Sequence, residues 1–144
     1  MRVVQEITAM LSAERATIFM YDQSTETLFS RVSAGGEINE IRFPSHMGIA
    51  GEVFTSGNSM NIPHAYADLR FNPSFDKQTG FFTRSILCVP IVNNDNDAIG
   101  VTQVLNKKGG VFSDDDEQRL KAFTAQISIS LQNSKLFDDV QRIK

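Results

Sequence analysis

Gly48-Ile49-Ala50-Gly51 brings small residues to the start of a helical stretch. The free backbone N–H groups of such a start can hold an anion such as a phosphate. The same glycines equally suit a turn followed by close packing. Further on, Asn72, Asp76, Thr79 and Thr83 stand among Phe71, Phe75, Phe81 and Phe82. Aromatic walls with a few hydrogen-bonding groups suit a flat heterocycle; the alternative is a loop whose aromatics plug the core. Asn106 and Lys107 then close a strand, and Asp116 and Glu117 open a helix, with Phe112 between them. A Lys–Asp pair over this interval would tie its two ends together above a phenylalanine plug. Exposed, such a pair contributes only about 0–1 kcal/mol, so burial has to strengthen it.

Nothing comparable speaks for catalysis. No GxSxG, Walker A or GxGxxG pattern is present. Cys88 lies inside the apolar run SILCVPIV and reads as a small buried hydrophobe. His46 and His64 with a single cysteine make a poor ligand set, so no metal site is expected. The carboxylates from Asp114 to Glu117 are explained by the start of a helix, whose dipole favours acids.

The elements that must position these residues follow from periodicity. Val3, Val4, Ile7, Met10 and Leu11 have helical spacing over residues 1–12. Residues 16–21, 27–34 and 37–43 read as three short strands joined by tight turns, an antiparallel meander in which Pro44 ends the third. Residues 48–56 form a short helix and 60–62 an extended piece. The stretch 64–83 is a long polar-aromatic insert with short helices near 64–68 and 74–79, and a loop of that length in a compact domain is usually functional. Residues 85–92 and 98–105 make a hairpin across Asn93-Asn94-Asp95-Asn96-Asp97.

Ser113 is the expected N-cap of a last helix running from Asp114 to about Ile143. At 1.5 Å per residue that is about 45 Å, longer than a domain with a radius of gyration of about 15 Å can cover. Leu120, Phe123, Ile127 and Leu131 make its inner stripe, and Phe137, Val140 and Ile143 continue an apolar face beyond it. A partner helix, most simply from a second copy of the chain, is the expectation, with a frayed tail as the alternative.

The chain has 144 residues, one ordinary domain in size, with 41% hydrophobic and 22% charged residues. Net charge is −3, which argues against a nucleic-acid module held by phosphate contacts and against attraction to anionic membranes. No apolar run reaches the ~18 residues of a transmembrane helix, and the N-terminus lacks the apolar core of a signal peptide. One cysteine permits no intrachain disulfide. A cytoplasmic setting is expected, with no nucleic acid and no membrane insertion. The fold class is α+β, an antiparallel sheet with helices on its faces.

Taken together, these segments resemble a GAF domain. Asn106, Lys107, Phe112, Asp116 and Glu117 match the NKxnFx3DE signature of the cyclic-nucleotide-binding branch of that family. The stretches NIPHAYADLRFNPSFDKQTGFFTRSILCVPI and IGVTQVLNKKGG are also similar to it. The likeness is to GAF domains of cyanobacterial adenylyl cyclases and mammalian cyclic-nucleotide phosphodiesterases, and it covers about residues 3–140. It implies a six-stranded antiparallel sheet, with the N- and C-terminal helices on one face and a helical ligand lid on the other. It implies one domain over 1–144, of which 132–144 extends as a dimerisation and signalling helix.

The resemblance also implies a ligand, cAMP or cGMP, and no other cofactor. The cyclic phosphate is expected near Ile49 and Ala50, and the lid contacts at Asn72, Asp76, Thr79 and Thr83. The purine is expected against Thr17, Arg31, Ser33 and Ala34, with Gln103 at a position that is acidic in a cGMP-binding relative. Asn72 replaces a tyrosine of one branch, and Ser33 stands where some relatives place a stacking aromatic; that absent aromatic, together with Arg31, favours cAMP over cGMP. The signature residues Asn106, Lys107, Phe112, Asp116 and Glu117 hold the pocket's architecture. The implied role is a regulatory, non-enzymatic sensor that passes strain through its terminal helices to an output domain. That output domain would be an adenylyl cyclase, a phosphodiesterase or a histidine kinase. Three alternatives stand beside it: a dimerisation-only module without ligand, a bilin photosensor and a methionine sulfoxide reductase. The lid has no cysteine to attach a bilin, and one cysteine has no resolving partner for reductase chemistry.

Overall fold

The computed structural model of the chain describes residues 2–34 and 40–142, of which 2, 31–34 and 134–142 by backbone alone. Helix α1 (Arg2–Leu11) leads into β1 (Ala13–Asp22), β2 (Thr27–Ala34), β3 (Arg42–Pro44), α2 (Gly48–Ser56) and β4 (Met60–Ile62). The insert contributes a 3-10 turn (Ala65–Ala67) and α3 (Ser74–Thr79). Then follow β5 (Ile86–Val92), β6 (Ala98–Lys107) and α4 (Asp114–Arg142).

The six strands form one sheet in the order β3-β2-β1-β6-β5-β4, and every pairing is antiparallel. This is the α+β architecture that the resemblance implied. The meander and the hairpin are local pairings, but β1 against β6 joins residues 80 to 94 positions apart and closes the two halves into one sheet. That pairing also extends β1 three residues beyond the expected start at Ala16, because Ala13 lies opposite Lys107. The third strand is shorter than expected: β3 pairs only with Thr27, Leu28 and Phe29 and includes Pro44. It stops where Ser30 binds Ile41 instead, through its own N–H (2.8 Å) and through its hydroxyl (2.9 Å). The expected residues 37–39 of that strand lie outside the described residues.

Alternation along the strands divides the core in two. Leu87, Val89, Ile91 and Val104 face α1 and α4, where they meet Val4, Ile7, Leu11, Leu120, Ile127 and Phe112. Ile86, Cys88, Val101, Leu105 and Phe19 face the other way, toward Ile49 and Val53 of α2 and Ala65 of the insert. The terminal helices therefore share one face, and α2 and the insert cover the other. On α4, Leu120 and Ile127 are buried and Phe123 and Leu131 pack against the same core. Phe137 and Val140 lie where the backbone alone is described, and Ile143 lies outside the described residues.

Gly100 lets the central strands approach. A Cβ there would sit 2.3 Å from the Phe19 carbonyl oxygen, which is backbone and cannot swing away. Gly100→Ala is therefore expected to cost about 2 kcal/mol through forced displacement of β1 from β6. Gly110, whose Cβ would meet nothing, serves as the control. Equal urea midpoints for the two alanine variants would contradict this account.

Candidate functional site

The floor of the site is a single register row. Ser33 pairs with Thr17, Thr17 with Gln103, Gln103 with Cys88, and Cys88 with Met60. Paired residues of an antiparallel sheet share a face, and Cys88 belongs to the core beneath α2 and the insert. Thr17 is buried and Gln103 half-buried. Burial pushes the Cys88 thiol well above its ordinary range, so it is an inert part of the floor. Arg31 stands at a β-bulge: Phe19 pairs with Ser30 and Ile18 with Val32, which leaves Arg31 as the extra residue. Bulges re-aim a side chain and occur beside binding sites. Ala34 lies opposite Ala16, one step out of the Ser33 row.

The insert forms a lid over this floor, and its polar residues knit it together. The Asp76 carboxylate, 6% exposed, accepts hydrogen bonds from the Thr83 N–H (2.8 Å), the Thr83 hydroxyl (2.8 Å) and the Tyr66 hydroxyl (2.8 Å). Its bond to Asp76 raises the Tyr66 phenol above its usual value. Thr79 Oγ1 donates to Phe75 O (2.9 Å) and accepts from the Phe81 N–H (3.2 Å), which closes α3. Asn72 Oδ1 accepts from the Ser74 N–H (3.0 Å) and opens the same helix. Four of these five residues, Asn72, Asp76, Thr79 and Thr83, were singled out in the sequence among aromatic neighbours; the fifth, Tyr66, stacks on Phe82 with ring centroids 5.1 Å apart.

Helix α2 approaches the same face. Ile49 and Ala50 in its first turn are buried, and no side chain caps its N-terminus. Gly51 is required here: a Cβ would come within 2.6 Å of the His46 backbone. The tight packing and the small residues thus go together, and the two readings of the glycine pair are compatible.

The Asn106-to-Glu117 segment is a frame for the lid. Asn106 is fully buried and adopts a left-handed backbone, φ 63°. Its Oδ1 accepts from the N–H groups of Arg84 (2.6 Å) and Ser85 (3.2 Å). Its Nδ2 donates to Phe82 O (2.9 Å) and to Glu14 Oε1 (3.0 Å). One amide thus anchors the C-terminal limb of the lid to β1 and β6. Lys107 Nζ donates to Leu11 O (2.8 Å) and to Asp116 (3.1 Å), joining the end of α1 to the start of α4. Ser113 and Asp116 exchange capping hydrogen bonds, with the Asp116 N–H donating to Ser113 Oγ (3.0 Å) and the Ser113 N–H to Asp116 Oδ2 (2.9 Å). Phe112 is the buried plug, and its carbonyl accepts from Asn61 Nδ2 (2.8 Å). Glu117 accepts from the Ser59 hydroxyl (2.7 Å) and pairs with Lys121 (3.2 Å).

Burial opposes ionisation of Asp116, but the Ser113 N–H and the Lys107 ammonium outweigh it and hold its carboxyl below the usual range. Arg15, Glu14 and Tyr66 also belong to this site and were not singled out in the sequence. Of these, Arg15 becomes legible only once β1 is extended to Ala13, which puts it two residues before Thr17 on the same strand face. Among the described residues, no group of three or more His, Cys, Asp or Glu could hold a metal ion, and no helix is long and apolar enough to cross a membrane.

An open antiparallel sheet, with the terminal helices on one face and α2 and the insert on the other, defines the class: a small α+β domain whose sheet is covered on both faces. The chain belongs to the GAF domain family, whose model matches residues 1–131. It is 37% identical over 145 residues to the probable 3',5'-cyclic phosphodiesterase pde-5 of Caenorhabditis elegans, covering 92% of this chain and 20% of that protein. It is 36% identical over 149 residues to the dual 3',5'-cyclic-AMP and -GMP phosphodiesterase 11A of Takifugu rubripes, covering 94% of this chain and 16% of that protein. The chain therefore spans a fifth or less of the length of these relatives.

Among solved structures, the GAF domain of a phosphoenolpyruvate-protein phosphotransferase from Coxiella burnetii superposes with a TM-score of 0.85 at 14% identity, covering 95% of this chain and 82% of that one. A free methionine-R-sulfoxide reductase from Neisseria meningitidis superposes with a TM-score of 0.79 at 16% identity, covering 94% of this chain and 77% of that one. At such identities the likeness concerns the fold alone, which hosts sensors and enzymes alike.

Proposed function

We propose that this GAF domain is a regulatory sensor that binds a cyclic nucleotide, with cAMP preferred over cGMP, and that it is not itself an enzyme. The register row of Ser33, Thr17 and Gln103, beside the bulge at Arg31 and beneath the lid, carries this reading. It supplies neutral hydrogen-bonding groups in line for the edge of a planar base. The two phosphodiesterase relatives support a cyclic-nucleotide setting.

The base preference rests on donors and acceptors. The N1–H and amino group of guanine are donors best met by a carboxylate, whereas adenine offers a donor and an acceptor that a glutamine amide can meet together. Thr17, Gln103 and Cys88 put no acid in the row. The first turn of α2 at Ile49 and Ala50 would hold the cyclic phosphate through its backbone N–H groups. Ala34 would line the base through its backbone, and Asn72, Asp76, Thr79 and Thr83 would close over the ligand from the lid.

Ligand-linked closure would shift a population between two arrangements of the terminal helices, which requires different affinity for the two. We place residues 1–144 in one domain, with 132–144 extending into a homodimer and toward an output domain in a cytoplasmic protein. The relatives favour a phosphodiesterase as that output, ahead of an adenylyl cyclase or a histidine kinase.

Isothermal titration of the ligand-free chain tests this reading. Saturable binding of cAMP at micromolar or lower concentration is expected, with cGMP about tenfold weaker. The reverse order overturns the base preference. No heat from either nucleotide, in a folded protein, favours the dimerisation-only reading. That reading is itself supported by the way Asn72, Asp76, Thr79 and Thr83 already bond within the lid.

A further inference from the structure

Arg15 lies on β1 two positions before Thr17 and pairs in register with Leu105, which faces the lid-side core. It is 7% exposed. Its guanidinium carbon lies 4.4 Å from the centre of the Phe81 ring and 5.4 Å from that of Phe75. Phe75 belongs to α3, and Phe81 to the segment that follows it. Burial lowers the Arg15 guanidinium below its ordinary value, and the negative charge of Asp76 offsets part of that shift. Asp76 is the carboxylate that joins Tyr66 to Thr83. A cation rooted in the floor thus lies against two aromatic rings of the lid, one in α3 and one in the segment after it.

A guanidinium gains more from an aromatic face once water is removed from around it. Here the lid supplies both the aromatic faces and the exclusion of water, so this attraction is available only while the lid is down. The preceding residue, Glu14, accepts from Asn106 Nδ2, and the Ser12 carbonyl, just past the end of α1, accepts from the Lys108 N–H. The segment that carries Arg15 is therefore held rigidly from both β6 and the lid's frame.

We propose that Arg15 is the clamp that holds the lid on the sheet, a positioning residue that sets how long a ligand remains beneath it. The clamp on the lid stands on contacts within the chain alone. Its effect on ligand residence rests on the cyclic-nucleotide reading above.

Hydrogen–deuterium exchange on the full chain without nucleotide tests the clamp first. Arg15→Met removes the charge and keeps much of the volume; Phe81→Leu removes an aromatic face from the lid side, keeps an apolar side chain against the lid-side core and changes no sheet residue. Each is expected to speed exchange of amides in residues 65–83 about tenfold, with β5 and β6 unchanged. Arg15→Lys, which keeps the charge without the flat guanidinium, is expected to restore part of the protection. Combining Arg15→Met with Phe81→Leu should add little to either alone.

Unchanged lid exchange in both single variants overturns the clamp. Loss of protection in β5 and β6 as large as in the lid also overturns it, because Arg15 would then be a plain core residue. With cAMP as the probe in stopped-flow, dissociation should quicken about tenfold in Arg15→Met while association stays within a factor of two. A loosened lid in the variants, with no nucleotide binding by the native chain, supports the clamp and overturns only the nucleotide reading.

Discussion

Replacing Asn106 by alanine is expected to lower the unfolding free energy by about 4 kcal/mol, a large share of the roughly 5–15 kcal/mol that holds a native domain together. The side-chain amide uses every hydrogen-bonding position it has: two acceptances from the Arg84 and Ser85 N–H groups and two donations to Phe82 O and Glu14. Each buried backbone group left without a partner costs about 1–3 kcal/mol, and water can reach some of them at the half-buried edge. Asn106→Gly separates backbone from side chain. Glycine relieves the left-handed strain at φ 63° but adds freedom to the unfolded chain. The two variants should therefore agree within about 1 kcal/mol. Urea unfolding monitored by circular dichroism measures both. A loss below about 1 kcal/mol in each would mean that the amide is not what anchors the lid to the sheet.

Lys107→Met is the second large effect, a loss of about 3 kcal/mol, because it leaves the Asp116 carboxylate, 4% exposed, without its cation and Leu11 O without its donor. The double variant Lys107→Met/Asp116→Leu should recover much of that loss, since no unpaired charge then remains buried. The pH dependence has a definite sign. The folded Asp116 carboxyl lies below its ordinary value of 3.8, so its contribution to stability is complete above pH 3.8 and is lost as pH falls through the lower folded value. In Asp116→Asn that acid-side loss should shrink, and in Lys107→Met it should shrink as well. Native-like acid profiles in both variants would show that the pair contributes nothing to the linkage.

These two side chains show how much of the site was readable. Asn106, Lys107, Phe112, Asp116 and Glu117 were identified by type and spacing, and the Lys–Asp tie over a phenylalanine plug is present as expected. Which partner Asn106 takes was not readable, because three of its four lie 21 to 24 residues away in the lid's end and the fourth 92 residues away on β1. Asp76 and Thr83 were identified as hydrogen-bonding groups of the lid, but their bond to each other depends on how the chain turns between them. Arg15 was passed over, since a charged residue at the edge of an apolar run reads as solvated until the lid is seen to cover it.

Helices α1, α2 and α4, the β1–β2 turn and the β5–β6 hairpin were determined by the sequence alone, because their signals are local: apolar periodicity, turn residues, and Ser113 followed by acids. The pairing of β1 with β6, the length of β3 and the bulge that sets Arg31 apart were decided only by the tertiary structure. Such pairings depend on contacts between distant segments, whose loop-closure cost and register leave no mark in any short window. The row of Ser33, Thr17 and Gln103 is the outcome of two of these pairings at once. The sequence supplied the three residues, and the sheet put them side by side.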